Sequence, residues 1–217
     1  QTLRKIPKGS SILDAGAGEL KYKKFCDHLN YTSQDFGGYD GLGNNEGKQT
    51  ESWDNSKLDI VSDIINIPVP QESFDAIMCI EVFEHISEPA LAVKEFSRIL
   101  KPKGKVVISS PFCSITHFAP FYFANGYSKY WYKKILEEHG FVIDEIILNG
   151  NYFESIAQEI RRLPGIENEY SKSSIGKGIF GKIIRSLMLI MLKNMSDKNK
   201  KSEDLLCFGL QVLAHKK

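Results

Sequence analysis

Two glycines and an acid stand where ligand chemistry would begin in this sequence. Asp14, Gly16 and Gly18 fall within Leu13-Asp14-Ala15-Gly16-Ala17-Gly18-Glu19-Leu20, directly after a short apolar run. Glycines at such a place let backbone approach a ligand closely and open a helix with an electropositive N-terminus. A dinucleotide fingerprint would carry a third glycine three residues after the second, but that position is Lys21. The Asp14 carboxylate suits a cationic ligand better than a pyrophosphate, because it can face an amino or sulfonium group while Gly16 and Gly18 make room. The chain has five histidines, of which His28, His139 and His215 are expected on a helix, at a helix end and in the tail, with structural or solvated roles. His85 and His117 follow the C-terminal ends of expected strands, the edge where open α/β sheets bind ligands. They are the candidates for moving a proton.

Short apolar runs alternating with helical periodicity must position these groups. The runs at 11–16, 31–36, 59–64, 74–82, 105–112, 141–148 and 205–214 read as seven strands. Ser87-Glu88-Pro89 offers a cap and an early proline for a helix that runs to Leu100 and is ended by Lys101-Pro102-Lys103-Gly104. The expected fold is therefore α/β: a doubly wound, mainly parallel seven-stranded sheet with a helical insertion before its last strand. One domain is expected over 1–217, with two departures from a minimal unit. Residues 37–57 form a Gly-, Asn- and Asp-rich connection, long for such a unit and expected to be a flexible binding loop. Residues 151–204 form the insertion, with helices expected at 152–163, up to a break at Pro164-Gly165, and at 179–195.

Composition narrows the function classes. With 28 basic against 27 acidic residues in 217, no global basic field for nucleic acid exists, and no nucleic-acid partner is expected. Cys26, Cys79, Cys113 and Cys207 form no C-x-x-C pair, which suits a reduced, cytoplasmic protein. Residues 2–10 are polar and basic, unlike a secretory signal, although Gln1 is no initiator and leaves open what precedes it. No stretch reaches the ~18 uncharged apolar residues of a membrane span.

Five motifs in order carry a more specific message: Leu13-Asp14-Ala15-Gly16-Ala17-Gly18, an acid at the second strand's end (Asp35), Asp63-Ile64-Ile65-Asn66-Ile67-Pro68, the run FDAIMCIEVFEH that ends at His85, and LKPKGKVVISSP from Leu100 to Pro111. Together they resemble the class I S-adenosylmethionine-dependent methyltransferases, in the broad group reading LDxGxGxG, D, D-x-x-x-[IL]-P, FDxxxxxEVxEH and LKPxGxxxxSxP. That resemblance implies S-adenosylmethionine as cofactor. It places Asp14, Gly16, Ala17 and Gly18 at the cofactor loop, Asp35 on the ribose hydroxyls, Asp63 on the adenine amino group beside an Ile64 clamp, and Ile80 near the methionine end. Leu20 replaces the third motif glycine.

Methyl transfer needs alignment above all, and a hydroxyl acceptor must also lose a proton. His117 is the expected base, with His85 beside it. A loop-fixing hydrogen bond is the alternative role for His117. The string Glu81-Val82-Phe83-Glu84-His85 also resembles an E-x-x-E-H metal site of quinone-precursor and small-RNA-end O-methyltransferases, which Glu81, Glu84, His85 and His117 would build. A divalent metal is nevertheless not expected, because the same string is widespread in metal-free relatives, where these residues cap the next helix. An S-x-P…H-x-x-P element in relatives of sugar pathways is followed by an acid and a base, but this chain has Tyr122 and Asn125-Gly126 there, so the substrate class does not carry over. The [DN]-P-P-[YF] motif of base and glutamine N-methylation is replaced by Glu81-Val82-Phe83-Glu84. The expectation is O-methylation of a small molecule such as a glycan, glycolipid or secondary metabolite, with a cofactor-binding module lacking turnover as the non-enzyme alternative.

Aromatic residues 118–123 are expected to wall the acceptor pocket, and Tyr130, Trp131, Ile135 and Leu136 to face the core of a helix. For the apolar helix at 179–195 three readings stand: peripheral membrane contact, a homodimer contact, or a cover for the sheet.

Overall fold

The computed structural model describes residues 2–174 and 176–217. The chain divides into two compact units, one ending at Ile147 and resuming with Leu210–Lys217, the other Leu148–Gly209.

The first unit is built on a sheet of strands β1 (Ser11–Ala15), β2 (Asn30–Asp35), β3 (Ile60–Val61), β4 (Phe74–Ile80), β5 (Leu100–Pro111), β6 (Phe141–Asn149) and β7 (Gly209–Lys216). Their spatial order is β3-β2-β1-β4-β5-β7-β6. The β1–β2, β2–β3, β1–β4 and β4–β5 pairs are parallel. Bonds from Phe208 N–H to the Asn149 carbonyl and from Lys217 N–H to the Gly140 carbonyl run β7 against β6. Chain order reverses between β1 and β4, so their C-terminal ends splay apart and leave a crevice. Ile12, Leu13, Ala76, Ile77, Met78 and Cys79 are fully buried in succession, as strands covered on both faces must be.

On one face Leu13, Ile77 and Ile108 pack against Val93, Phe96 and Ile99 of helix α1 (Pro89–Ile99) and against Tyr132 and Leu136 of helix α2 (Lys129–Glu138). Pro89 begins α1 with the fixed φ suited to a first helical turn. The Ser128 hydroxyl caps α2 by accepting from Trp131 N–H. Tyr130 departs from the expected core face: it is 68% exposed, and Tyr132 is the buried aromatic. Tyr132 lies two residues on, about 200° round the helix, and stacks on Phe83 in the core.

Several expected boundaries shift for local reasons. The glycine loop does not open a helix. Gly16, Gly18 and Leu20 have φ of 77°, 48° and 61°, and three left-handed residues in five exclude a right-handed helix. Residues 16–29 are turns with one 3-10 segment, Lys23–Phe25, while Cys26 and Leu29 cover Ile12, Ala76 and Met78 on the opposite face of the sheet. Strand β3 shrinks to two residues because the Asp59 carboxylate takes both the backbone N–H and the hydroxyl of Ser33, at 2.8 and 2.7 Å, where ladder bonds would lie. Strand β5 begins before Lys101-Pro102-Lys103-Gly104 rather than after it. Those four residues form an irregularity between the Phe74–Leu100 and Ala76–Lys105 pairings, where a proline does no harm.

The connection 37–57 contains no named helix or strand and lies against the segment after β5. Asn44 N–H donates to the Ala119 carbonyl, Lys48 N–H to that of Thr116, and Phe118 N–H to that of Lys48. Buried Tyr39 anchors it through its hydroxyl, which donates to Gln49 Oε1 at 2.8 Å.

The second unit contains helices α3 (Tyr152–Tyr170) and α4 (Ile179–Asp197). A capping box of Asn151 and Glu154 starts α3. Pro164 lies inside this helix instead of ending it. It removes one hydrogen bond from a helix held on both sides, by the cap and the α4 packing before it and by Glu167, which accepts from Gly176 N–H, after it.

Candidate active site

A cavity of about 620 Å³ opens at the crevice between the C-terminal ends of β1 and β4, a size within the range of small-molecule sites. Gly16, Ala17 and Gly18 form its floor, Asp35 and Phe36 one side, Asp63 and Ile64 another, and Ile80, Glu81, Val82 and His85 the side from β4. Phe118, Phe121 and Phe123 close it from the segment after β5. A Cβ at Gly16 would lie 2.4 Å from a Val82 methyl, and one at Gly18 would lie 2.5 Å from the Trp53 ring. Backbone and indole therefore meet at a distance only glycine permits.

Asp35 sits at the end of β2, with one carboxylate oxygen accepting from Gly18 N–H and the other from Gly37 N–H, each at 3.0 Å. Both oxygens keep a lone pair for a ligand. Asp63 accepts from Ile65 N–H at 3.1 Å, which fixes the turn that presents Ile64 to the cavity. That turn is clamped to α1: Glu95 accepts from Ile67 N–H and from Arg98, whose guanidinium also donates to the Ile67 and Val69 carbonyls. Asp14 lies beneath the floor, off the cavity wall, and its carboxylate accepts from the Tyr31 hydroxyl at 2.7 Å. Burial raises its pKa to about 6, with Asp35 repulsion adding and the Tyr31 bond opposing.

At His85, on the cavity lining, three donors converge. Glu84, His85 and His117 bring one ligand atom each to within 4.8 Å of one another. The His85 Nδ1–H donates to the Phe121 carbonyl at 2.5 Å, and the His117 Nδ1–H to the Ile115 carbonyl at 2.9 Å. A carbonyl can only accept, so in each neutral ring Nε2 carries the lone pair. These two atoms lie 3.7 and 3.9 Å from Glu84 Oε1, too far for hydrogen bonds. The other Glu84 oxygen is buried without a partner. Burial raises the Glu84 pKa to about 8 and lowers that of His85 to about 4. His85 lines the cavity, and His117 stands behind it with ring centroids 4.7 Å apart. Glu81 lies apart from the three: its carboxylate accepts from the Ser109 hydroxyl at 2.6 Å.

The structure thus brings Gly16, Ala17, Gly18, Asp35, Asp63, Ile64, Ile80 and His85 into the lining of one cavity, with Asp14 and His117 outside that lining. Sequence reasoning missed Tyr39 and Trp53. Tyr39 stacks on Phe118 at 4.5 Å, and Trp53 meets both edge-on, which roofs the cavity with aromatic faces. Their only signal was two large aromatics in a connection otherwise rich in small polar residues.

The family described as "Methyltransferase domain" matches residues 13–108. A tRNA (carboxymethyluridine(34)-5-O)-methyltransferase of Arabidopsis thaliana is 32% identical over 110 residues, which is 49% of this chain and 25% of that protein. A ubiquinone biosynthesis O-methyltransferase of Xanthomonas oryzae pv. oryzae is 42% identical over 38 residues, 18% of this chain and 16% of that protein. The match thus spans a quarter or less of these two relatives. In fold, the chain resembles Haemonchus contortus phosphoethanolamine N-methyltransferase 2 bound to S-adenosyl-L-methionine. The TM-score is 0.56 at 17% identity, with 100% of this chain and 50% of that one covered.

Proposed function

We propose that this chain, which belongs to the class I S-adenosylmethionine-dependent methyltransferases, O-methylates a small hydroxylated acceptor, with S-adenosylmethionine held in the cavity between β1 and β4. The observation that carries this reading is the Asp35 carboxylate, fixed by the Gly18 and Gly37 amides on the cavity wall with lone pairs to spare, in the same cavity that His85 lines. Asp35 takes the ribose hydroxyls, Asp63 the adenine amino group, Ile64 one face of the ring, and the Ile80 backbone the methionine end. Asp14 lends negative charge from below. The cofactor, when bound, supplies a methyl group already activated on a sulfonium, so no covalent nucleophile is needed from the protein.

The protein's remaining tasks are alignment and deprotonation. The His85 Nε2 lone pair lies at the cavity wall, where it can accept from the acceptor hydroxyl and orient it. The hydroxyl carries one proton, so it turns from His85, which burial makes a weak base, as that proton passes to Nε2 of His117, the ring whose Nδ1–H is held by Ile115. Phe118, Phe121 and Phe123 exclude water and offer faces for a ring or sugar. Calorimetry with S-adenosylmethionine, followed by turnover with sugars, glycolipids, catechols and a tRNA transcript, tests the reading. Methyl transfer to the transcript alone would replace the small-molecule acceptor with RNA, the acceptor in the Arabidopsis relative's name. His117→Ala is expected to lower kcat by ~10²–10⁴-fold while cofactor affinity holds.

One observation favours a metal-assisted variant of this reaction on a diol. Two imidazole lone pairs face one buried carboxylate at distances that satisfy none of them, and each ring is oriented by a backbone carbonyl as metal ligands usually are. Glu84, His85 and His117 fit a divalent ion of zinc type, which would acidify an acceptor hydroxyl. Activity unchanged by exhaustive chelation, with no metal in the purified protein, removes that variant.

A further inference from the structure

Helix α4 buries only a narrow face. Leu192 and Gly181 are buried, and Leu192 with Leu189 packs on Ala157 and Ile160 of α3. The opposite side is apolar and open: Ile179, Phe180, Ile183, Leu187, Ile190 and Met191 are each between 50 and 79% exposed. At helical spacing these six fall within an arc of ~120°. Scattered exposed apolar residues need no explanation, but a contiguous stripe of this kind does.

Charge identifies the partner. Residues 171–197 carry Lys172, Lys177, Lys182, Arg185 and Lys193 against a single acid, Asp197, which pairs with Lys193 at the end of α4. Lys182 and Lys193 are exposed on α4 and project roughly 40–60° from one edge of the apolar arc. Their aliphatic stems can lie along an apolar phase while the ammonium groups reach a polar boundary. Among the described residues, no helix is long and apolar enough to cross a membrane. We infer that α4 is a peripheral docking helix that lies on an anionic phospholipid surface, its apolar stripe in the acyl boundary and its flanking cations at the headgroups. A second copy fits less well, because a two-fold pairing of this face would bring its excess cations together with only Asp197, already paired to Lys193, to answer them. This inference is independent of the cofactor reading.

The test is co-sedimentation of the full chain with vesicles of phosphatidylcholine alone or with one third phosphatidylglycerol, and light scattering of the protein without vesicles. Binding to the anionic vesicles that weakens with salt is expected. Ile183→Glu, Leu187→Glu and Ile190→Glu together should abolish it with thermal midpoint and cofactor affinity unchanged, since all three side chains are solvent-exposed. Lys182→Ala with Lys193→Ala leaves the apolar stripe intact and should weaken binding by roughly tenfold. No partition to anionic vesicles would overturn the inference, as would equal partition to both vesicle types. A dimer that the glutamate variant dissociates, without vesicle binding, would assign the face to a second copy instead.

Discussion

The carboxylate of Asp14 offers a quantitative check on the cofactor site. It is 1% exposed and bonded to the Tyr31 hydroxyl, and burial holds its pKa at about 6 rather than near 3.8. The repulsion it feels from Asp35 shows that its charge reaches the cavity wall, because Asp35 is part of that wall. A cationic ligand should therefore bind the ionised form in preference. With a pKa of about 6, roughly a tenth of the protein is ionised there at pH 5 and roughly nine tenths at pH 7. If only that form binds well, affinity for S-adenosylmethionine rises by about tenfold between these values, and binding at pH 6 releases about half a proton. The same shift costs stability. The folded state holds the proton more tightly than the unfolded chain, so its contribution is full below the ordinary carboxyl pKa and is lost as pH rises through about 6. The loss totals ~3 kcal/mol. Asp14→Asn keeps the Tyr31 bond and removes the titration. Calorimetry of both proteins from pH 5 to 7.5, in buffers of different ionisation enthalpy, should show the pH dependence and proton release in the native protein alone. An affinity equally flat, or equally sloped, in both would refute the argument that Asp14 acts on the cofactor through its charge.

Asp35→Ala removes both anchors of the loop amides and is expected to weaken cofactor binding by more than tenfold in a titration; unaltered affinity would contradict the ribose role. Gly18→Ala forces a methyl against Trp53 and a side chain into left-handed backbone, so it should lower stability by ~1–2 kcal/mol and cofactor affinity with it. Adding Trp53→Ala should recover part of the loss, and a strictly additive double variant would show that the clash is not the cause. Tyr132→Phe deletes a buried 2.6 Å bond to the Ser110 hydroxyl and should cost ~1–2 kcal/mol in denaturant unfolding without altering cofactor affinity.

Much of the cavity wall was legible because it is local. Strand ends fix where Asp35 and Asp63 emerge, and an apolar run ending in Asp-x-Gly-x-Gly leaves the backbone few choices. The helix expected after that loop was not legible. Leu20 does not advertise a positive φ, and only the tertiary setting imposes one. Tyr39 and Trp53 were invisible for a similar reason. Nothing in a loop's composition tells which of its aromatics will meet Phe118, seventy residues or so away in the chain.

The order of the motifs, written in residue types and spacing, determined the family, the sheet and the place of the glycine loop. Tertiary structure alone decided which groups share a space. It put Asp14 under the floor instead of on the wall and sent Glu81 to Ser109 while Glu84 turned to two histidines. It also left one side of α4 open to solvent. Spacing along a chain sets which way a side chain leaves its element, but burial and partners depend on which distant elements pack there, and those set charge states and reactivity.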